Sequence, residues 1–200
     1  MADESLDPRH DDVRKWYGEH FAPSAKPSYH PPYPSGRVGA LGLGYDPGTL
    51  DAASQSLVEG FCGVGNPFLL GDVSAGVRLL DVGCGAGFDC FVASSLVGPD
   101  GRVEGIDLTP EMVSRARHHL SESGASDVSV RAAAAERLPY PDESFDVVIS
   151  NGAINLMSDK GAVFREIRRV LRPGGRLQFA DVVRVAGVSE EQGDPDAWSR

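Results

Sequence analysis

The stretch that decides the fold is Val77-Arg78-Leu79-Leu80-Asp81-Val82-Gly83-Cys84-Gly85-Ala86-Gly87. A short apolar run closes on an acid, glycines then recur at every second position, and a helical period follows over 87–97. Phe88, Val92 and Ser95-Leu96 share one face of that helix. A strand, a tight turn and a helix are therefore predicted. The glycines let the backbone bend sharply and approach a ligand closely, with loop amides and a helix N-terminus facing it. The dinucleotide pattern GxGxxG competes for this reading, but counted from Gly83 its third glycine falls at Phe88. The spacing favours a nucleoside cofactor without a pyrophosphate and leaves a nicotinamide-dependent oxidoreductase as a distant alternative.

Downstream, short apolar runs at 77–82, 102–107, 127–131, 145–150 and 176–185 read as strands. The stretch 110–123 puts Met112-Val113, Ala116 and Leu120 on one helical face. A further helix over 159–171 groups Val163, Ile167, Val170 and Leu171, then stops at Arg172-Pro173-Gly174-Gly175. This alternation predicts a three-layer α/β sandwich with a parallel sheet. Upstream, Asp7-Pro8 opens a helix running to about residue 22, with Val13, Trp16, Tyr17 and His20 on one face. Residues 22–48 read as irregular and 49–60 as a short helix. The expected division is a lid over 1–70, a core over 71–185 and a polar tail over 186–200.

The chain has 200 residues, 41% hydrophobic and 24% charged, which suits one domain with a sizeable core. No apolar run is long enough to span a bilayer, and Met-Ala-Asp-Glu-Ser-Leu-Asp lacks the order of a signal peptide. Cys62, Cys84 and Cys90 form no CxxC pair and read as free thiols in a reducing compartment, so a cytoplasmic location is expected. The formal charge of −10 opposes a phosphate backbone. Arg165, Arg168, Arg169 and Arg172 cluster at a helix C-terminal end, where cations complement the dipole. The expected partner is a small or neutral molecule, with no nucleic acid, no membrane and no metal.

The second strand ends in Gly105-Ile106-Asp107, where a carboxylate can accept two ribose hydroxyls. Asp107 could instead cap the next helix, but Thr109, followed by Pro110, is expected to take that role and leave Asp107 free. With these motifs in place, residues 77–185 resemble a class I methyltransferase. The same resemblance is carried by Phe145-Asp146-Val147-Val148-Ile149-Ser150 and by Arg169-Val170-Leu171-Arg172-Pro173-Gly174-Gly175-Arg176-Leu177. It implies a Rossmann-like fold of sheet order 3-2-1-4-5, with S-adenosylmethionine as cofactor and methyl transfer as the activity. The family's strands six and seven are expected to be absent, leaving the strand-five edge for a second copy or a partner protein to cover.

The cofactor residues it implies are Asp81, Gly83, Cys84, Gly85, Gly87, Asp107, Leu108, Ala135, Glu136 and Asn151. Asp81 either assists the methionine amino end or makes a structural bond to the loop. Ala135 offers a backbone hydrogen bond to adenine from the stretch Ala133-Ala134-Ala135-Glu136, and Glu136 reads equally as a contact or a solvated charge. Ala134 replaces an acid common in relatives. Asn151 stands where an acceptor would meet the methyl group.

Several phrases resemble the arsenite methyltransferase subgroup more closely: Gly87-Phe88-Asp89-Cys90-Phe91, Asp107-Leu108-Thr109-Pro110-Glu111-Met112, Ser150-Asn151-Gly152-Ala153-Ile154-Asn155-Leu156, Trp16-Tyr17-Gly18 and Gly65-Asn66-Pro67. Trivalent arsenic is thiophilic and requires cysteine ligands. At the subgroup's cysteine positions this chain has Gly152 and Val64, with Cys62 two residues away, so a different small acceptor is expected. Cys84 and Cys90 read as small buried hydrophobes. No catalytic residue is identified. His20, His30, Tyr17, Tyr29, Tyr33 and Tyr45 are the candidates for a base or lid, and His118-His119 reads as a solvated face. The alternative function is a non-catalytic partner subunit that binds the cofactor or has lost it.

Overall fold

A computed structural model describes residues 11–13, 15 and 33–183. Residues 11–13 and 15 are helical; the rest of the expected first helix and the tail over 186–200 lie outside the described residues. Within the segment expected to be irregular, α1 runs over Gly36–Gly42. Its apolar period was hidden by glycines at both ends and in the middle, while Ala40 between them is fully buried. The helix expected over 49–60 is two, α2 (Pro47–Ala52) and α3 (Gln55–Glu59). Ser54 interrupts them, its hydroxyl accepting from the Leu57 N–H as a new N-cap.

Five parallel strands follow: β1 (Arg78–Val82), β2 (Arg102–Asp107), β3 (Ser129–Ala132), β4 (Phe145–Asn151) and β5 (Leu171–Ala180). They form one sheet in the order β3-β2-β1-β4-β5. The crossovers are α4 (Phe88–Val97), α5 (Pro110–Glu122) and α6 (Lys160–Val170). Leu79, Leu80 and Val82 of the central strand are fully buried, as a strand covered on both faces requires.

The last strand differs from the expected 176–185. It pairs with β4 from Leu171, opposite Phe145, loops out over 172–175, rejoins at Arg176 opposite Val147, and ends at Ala180. Arg-Pro-Gly-Gly is thus a bulge within the pairing, not a gap before it.

Two apolar layers flank the sheet. Val163, Ile167 and Val170 of α6 close one face. On the other, α4 is buried nearly all round, because its outer side is covered by the N-terminal segment. The Tyr45 and Phe61 rings meet Phe88 at centroid distances of 5.2 and 4.7 Å. Residues 40–61 therefore share one core with β1 and α4. No helix among the described residues is long and apolar enough to cross a membrane.

The basic cluster on α6 has local partners. Arg169 reaches Glu166, Asp142 and the carbonyls of Leu138 and Tyr140, and Arg172 bonds Asp146. These guanidiniums pin the loop between β3 and β4.

Candidate functional site

At the carboxyl ends of the strands lies a hollow, partly open to solvent. Gly83 and Gly85 form its floor beside Asp107 and Leu108, and Ala135 and Glu136 line the side after β3. Asn151 lies on the opposite side, and Ala153, Leu156 and Met157 continue that wall beyond β4. The sequence reading missed Ala153, Leu156 and Met157, and also Met112 and Cys62. All of them fall inside stretches it had quoted or next to them, but nothing in their spacing marks a wall residue.

Asp81, Cys84 and Gly87 do not line the hollow. Asp81 lies beneath the loop, 1% exposed, accepting from the Cys90 thiol at 3.4 Å. That bond runs to the first turn of α4, not to the loop. Cys84 and Cys90 are both buried against Gly105, where a side chain on β2 would run into their sulfurs. Gly87 is the N-terminal flank of α4 and packs on Ala116 of α5.

The loop's amides are turned inward, contrary to expectation. The N–H groups of Gly83 and Cys84 both donate to the Ile106 carbonyl at 2.9 Å, Gly85 N–H to Asp107 Oδ2 at 3.0 Å, and Gly87 N–H to the Cys84 carbonyl. A loop with these donors already used offers little to a phosphate. What it offers is close approach, since Gly83 has φ +78° and a Cβ there would overlap that of Ala153.

Asp107 is not left free either. The Thr109 hydroxyl makes no cap, and Asp107 Oδ1 accepts the Thr109 N–H at 2.8 Å. Burial pushes its carboxyl above the ordinary range, and the N–H bonds from Thr109 and Gly85 draw it back. A carboxylate has about four lone-pair directions, and beyond the two amides and the neighbouring Thr109 hydroxyl some of those lone pairs remain for a hydroxyl donor from the hollow. The two amide bonds fix its orientation, and it presents those lone pairs from a rigid base.

His119 corrects the expectation of a solvated pair. His118 is exposed and meets Glu122, whereas His119 is 5% exposed with Nδ1 3.3 Å from the Ala86 carbonyl. A carbonyl only accepts, so Nδ1 carries the proton and the ring braces the loop from α5. Burial lowers its pKa and keeps it neutral.

Two further carboxyl groups are buried beside the loop. Asp89, on the first turn of α4, is 8% exposed and accepts from the Tyr45 hydroxyl at 2.6 Å and the Asn151 amide at 3.0 Å. Burial pushes its pKa up to about 6, against the pull of those two donors. Burial and then the neighbouring Asp89 raise Asp81 well above the usual range. In both cases the bonded partners are neutral. A folded-state pKa above the unfolded value means that the folded chain holds more protons between about pH 4 and 6. Stability is therefore expected to fall as pH rises through that window. Asp89→Asn, which mimics the protonated group, should gain on the wild type between pH 4.5 and 7 in urea unfolding. A pH-independent gap between the two proteins rejects this assignment.

A family model for a methyltransferase domain matches residues 73–196, well over half of the chain. The chain belongs to the methyltransferase domain family. Its relatives include an arsenite methyltransferase of Halobacterium salinarum, 44% identical over 160 residues. That match takes in 80% of this methyltransferase domain chain and 41% of the relative. A nocamycin O-methyltransferase of Saccharothrix syringae is 42% identical over 119 residues, 60% of this chain and 42% of that protein. Among solved structures, an arsenic (III) S-adenosylmethionine methyltransferase from Chlamydomonas reinhardtii superposes with a TM-score of 0.61 at 36% identity. It covers 68% of this chain and 48% of that one. The methyltransferase domain thus spans less than half the length of each of these relatives.

Within the methyltransferase domain, Val64 and Gly152 meet in space. A Cβ on Gly152 would stand 3.3 Å from Val64 Cγ1, and Gly152 has φ +70°. Cys62 is half-buried on the hollow's wall, and burial pushes its thiol up to about 11, so it remains protonated at neutral pH. Asn151 lines the hollow, but its amide already bonds protein groups on both sides.

Proposed function

We propose that this methyltransferase domain binds S-adenosylmethionine in the hollow and transfers its methyl group to a small-molecule acceptor. The observation that carries the reading is the pairing of a donor-poor glycine loop with a braced acidic residue at one cavity floor. Bound there, the cofactor supplies a methyl group activated by its positive sulfonium. Asp107 has lone pairs for the ribose hydroxyls, and Gly83 and Gly85 give the amino-acid portion a surface without side chains. The buried carboxyls of Asp81, Asp89 and Asp107, held above the ordinary range, would ionise more readily beside a positive group and oppose a negative one, which favours a cationic ligand. Ala135 and Glu136 flank the adenine end in this reading.

The chain's contribution to transfer is orientation and exclusion of water, which suffices when the leaving group is already activated. Around the acceptor end, Leu156, Met157 and Tyr33 form a largely apolar wall. Where the resemblance to the arsenite subgroup implies cysteines, this chain has Val64 and Gly152, and the Cys62 thiol is held neutral. An oxygen, nitrogen or carbon nucleophile suits this wall better than a thiophilic metalloid. Three free thiols fit a reducing, cytoplasmic setting.

Equilibrium binding of S-adenosylmethionine, followed by mass spectrometry of candidate acceptors for a gain of one methyl group, tests the reading. Saturable binding with a methylated product supports it. Binding with no product and a tight protein partner supports the non-catalytic subunit instead. No binding rejects the enzyme and leaves a partner subunit that has lost the cofactor.

A further inference from the structure

Asn151, at the carboxyl end of β4, is the hub of a network that joins three separate segments. Its Oδ1 accepts the N–H groups of Val64 at 2.9 Å and Gly65 at 3.1 Å. Its Nδ2 donates to the Gly65 carbonyl at 2.8 Å, to Asp89 Oδ2 at 3.0 Å and, more weakly, to the Tyr45 hydroxyl at 3.2 Å. Tyr45 donates in turn to Asp89 Oδ1 at 2.6 Å. The Tyr45 ring is packed edge-on against Phe61, Phe68 and Phe88, so the network is enclosed by apolar groups. In such surroundings a satisfied polar network holds one geometry and a broken one is costly.

The segment that this network grips reaches the wall of the hollow through Cys62. Among the described residues, no backbone–backbone bond joins residues 62–65 to the sheet. Close contact replaces pairing: a Cβ on Gly63 would overlap the Asn151 amide, and one on Gly65 would overlap Ala180 Cβ. Cys62, whose carbonyl accepts the Tyr33 hydroxyl at 3.1 Å, presents this segment to the cavity.

We propose that Asn151, oriented by Tyr45 and Asp89, is a positioning residue that seats residues 62–65 and so holds Cys62 in the acceptor-side wall of the cavity. The seating itself stands on the hydrogen bonds above; its consequence for ligand binding rests on the cofactor reading. Asn151 contributes no hydrogen bond to the ligand in this assignment. Its amide spans the gap between strand end and wall, and Asp89 with Tyr45 fixes which of its ends faces Val64 and Gly65.

The test uses the full chain as Asn151→Ala and Tyr45→Phe, with amide hydrogen exchange read residue by residue and S-adenosylmethionine titrated into each protein. Tyr45→Phe keeps the ring and removes one hydroxyl, so it decides alone if Asn151→Ala fails to fold. Exchange at the Val64 and Gly65 amides should quicken roughly tenfold in Asn151→Ala and several-fold in Tyr45→Phe, the scale of one or two lost hydrogen bonds. Exchange at Leu79 and Leu80 should be unchanged. S-adenosylmethionine affinity should fall several-fold in both variants. Unaltered exchange at Val64 and Gly65 overturns the proposal, and so does faster exchange with undiminished affinity. Faster exchange in a chain whose wild type binds no S-adenosylmethionine rejects the cofactor reading and supports the seating.

Discussion

Gly83→Ala is expected to lower stability by about 2–5 kcal/mol and to remove measurable S-adenosylmethionine binding. Two costs add at this position. The backbone at φ +78° is a conformation that L side chains rarely adopt, at about 1–2 kcal/mol for alanine. The new methyl would also overlap Ala153 Cβ, where overpacking costs about 1–3 kcal/mol. Relief by shifting Ala153 moves the turn that leads to Leu156 and Met157, so strain and cavity shape are linked. Gly76→Ala separates the two terms, because Gly76 has φ +80° with nothing within 4 Å of a Cβ. Urea unfolding of the pair should show a clearly larger loss for Gly83→Ala. Equal losses would mean that contact with Ala153 adds nothing.

Asp107→Ala is expected to weaken S-adenosylmethionine binding by roughly 10–100-fold, or about 1–3 kcal/mol. Part of the loss is direct, through hydroxyl bonds to the carboxylate. Part is indirect, because Asp107 also accepts the Gly85 and Thr109 amides and so shapes the floor. Asp107→Asn divides these contributions. It keeps one acceptor oxygen for the backbone but weakens the charge-assisted bonds, so its affinity should fall between wild type and alanine. Calorimetric titration reads both variants, and an unchanged dissociation constant in Asp107→Ala removes the ribose assignment.

The sheet was legible in the sequence because its central strands are short, mainly apolar runs, with an acid at or near the end of the first two. β1, β2 and β4 lie within a residue or so of their expected bounds. β5 was harder, since Arg172-Pro173-Gly174-Gly175 is a stop signal locally and a bulge only when β4 lies beside it. α1 was lost because glycine contributes no apolar period, although the chain there packs closely enough to bury Ala40. The site was legible as a set of positions more than as a set of bonds. Gly83, Gly85, Asp107, Leu108, Ala135, Glu136 and Asn151 do converge on one hollow. The inward turn of the Gly83, Cys84 and Gly85 amides and the grip of Asn151 on Val64 and Gly65 depend on partners 22–87 residues away in sequence. His119 shows the same limit. Beside exposed His118 it reads as surface, and only the packing of α5 under the glycine loop buries it.

The most direct measurement is a crystal structure of the chain grown with saturating S-adenosylmethionine. The account predicts the ribose hydroxyls on Asp107, the amino-acid portion against Gly83 and Gly85, and the sulfonium methyl directed toward the wall of Leu156, Met157 and Cys62. Cofactor density elsewhere on the protein, or a ribose turned away from Asp107, would contradict it.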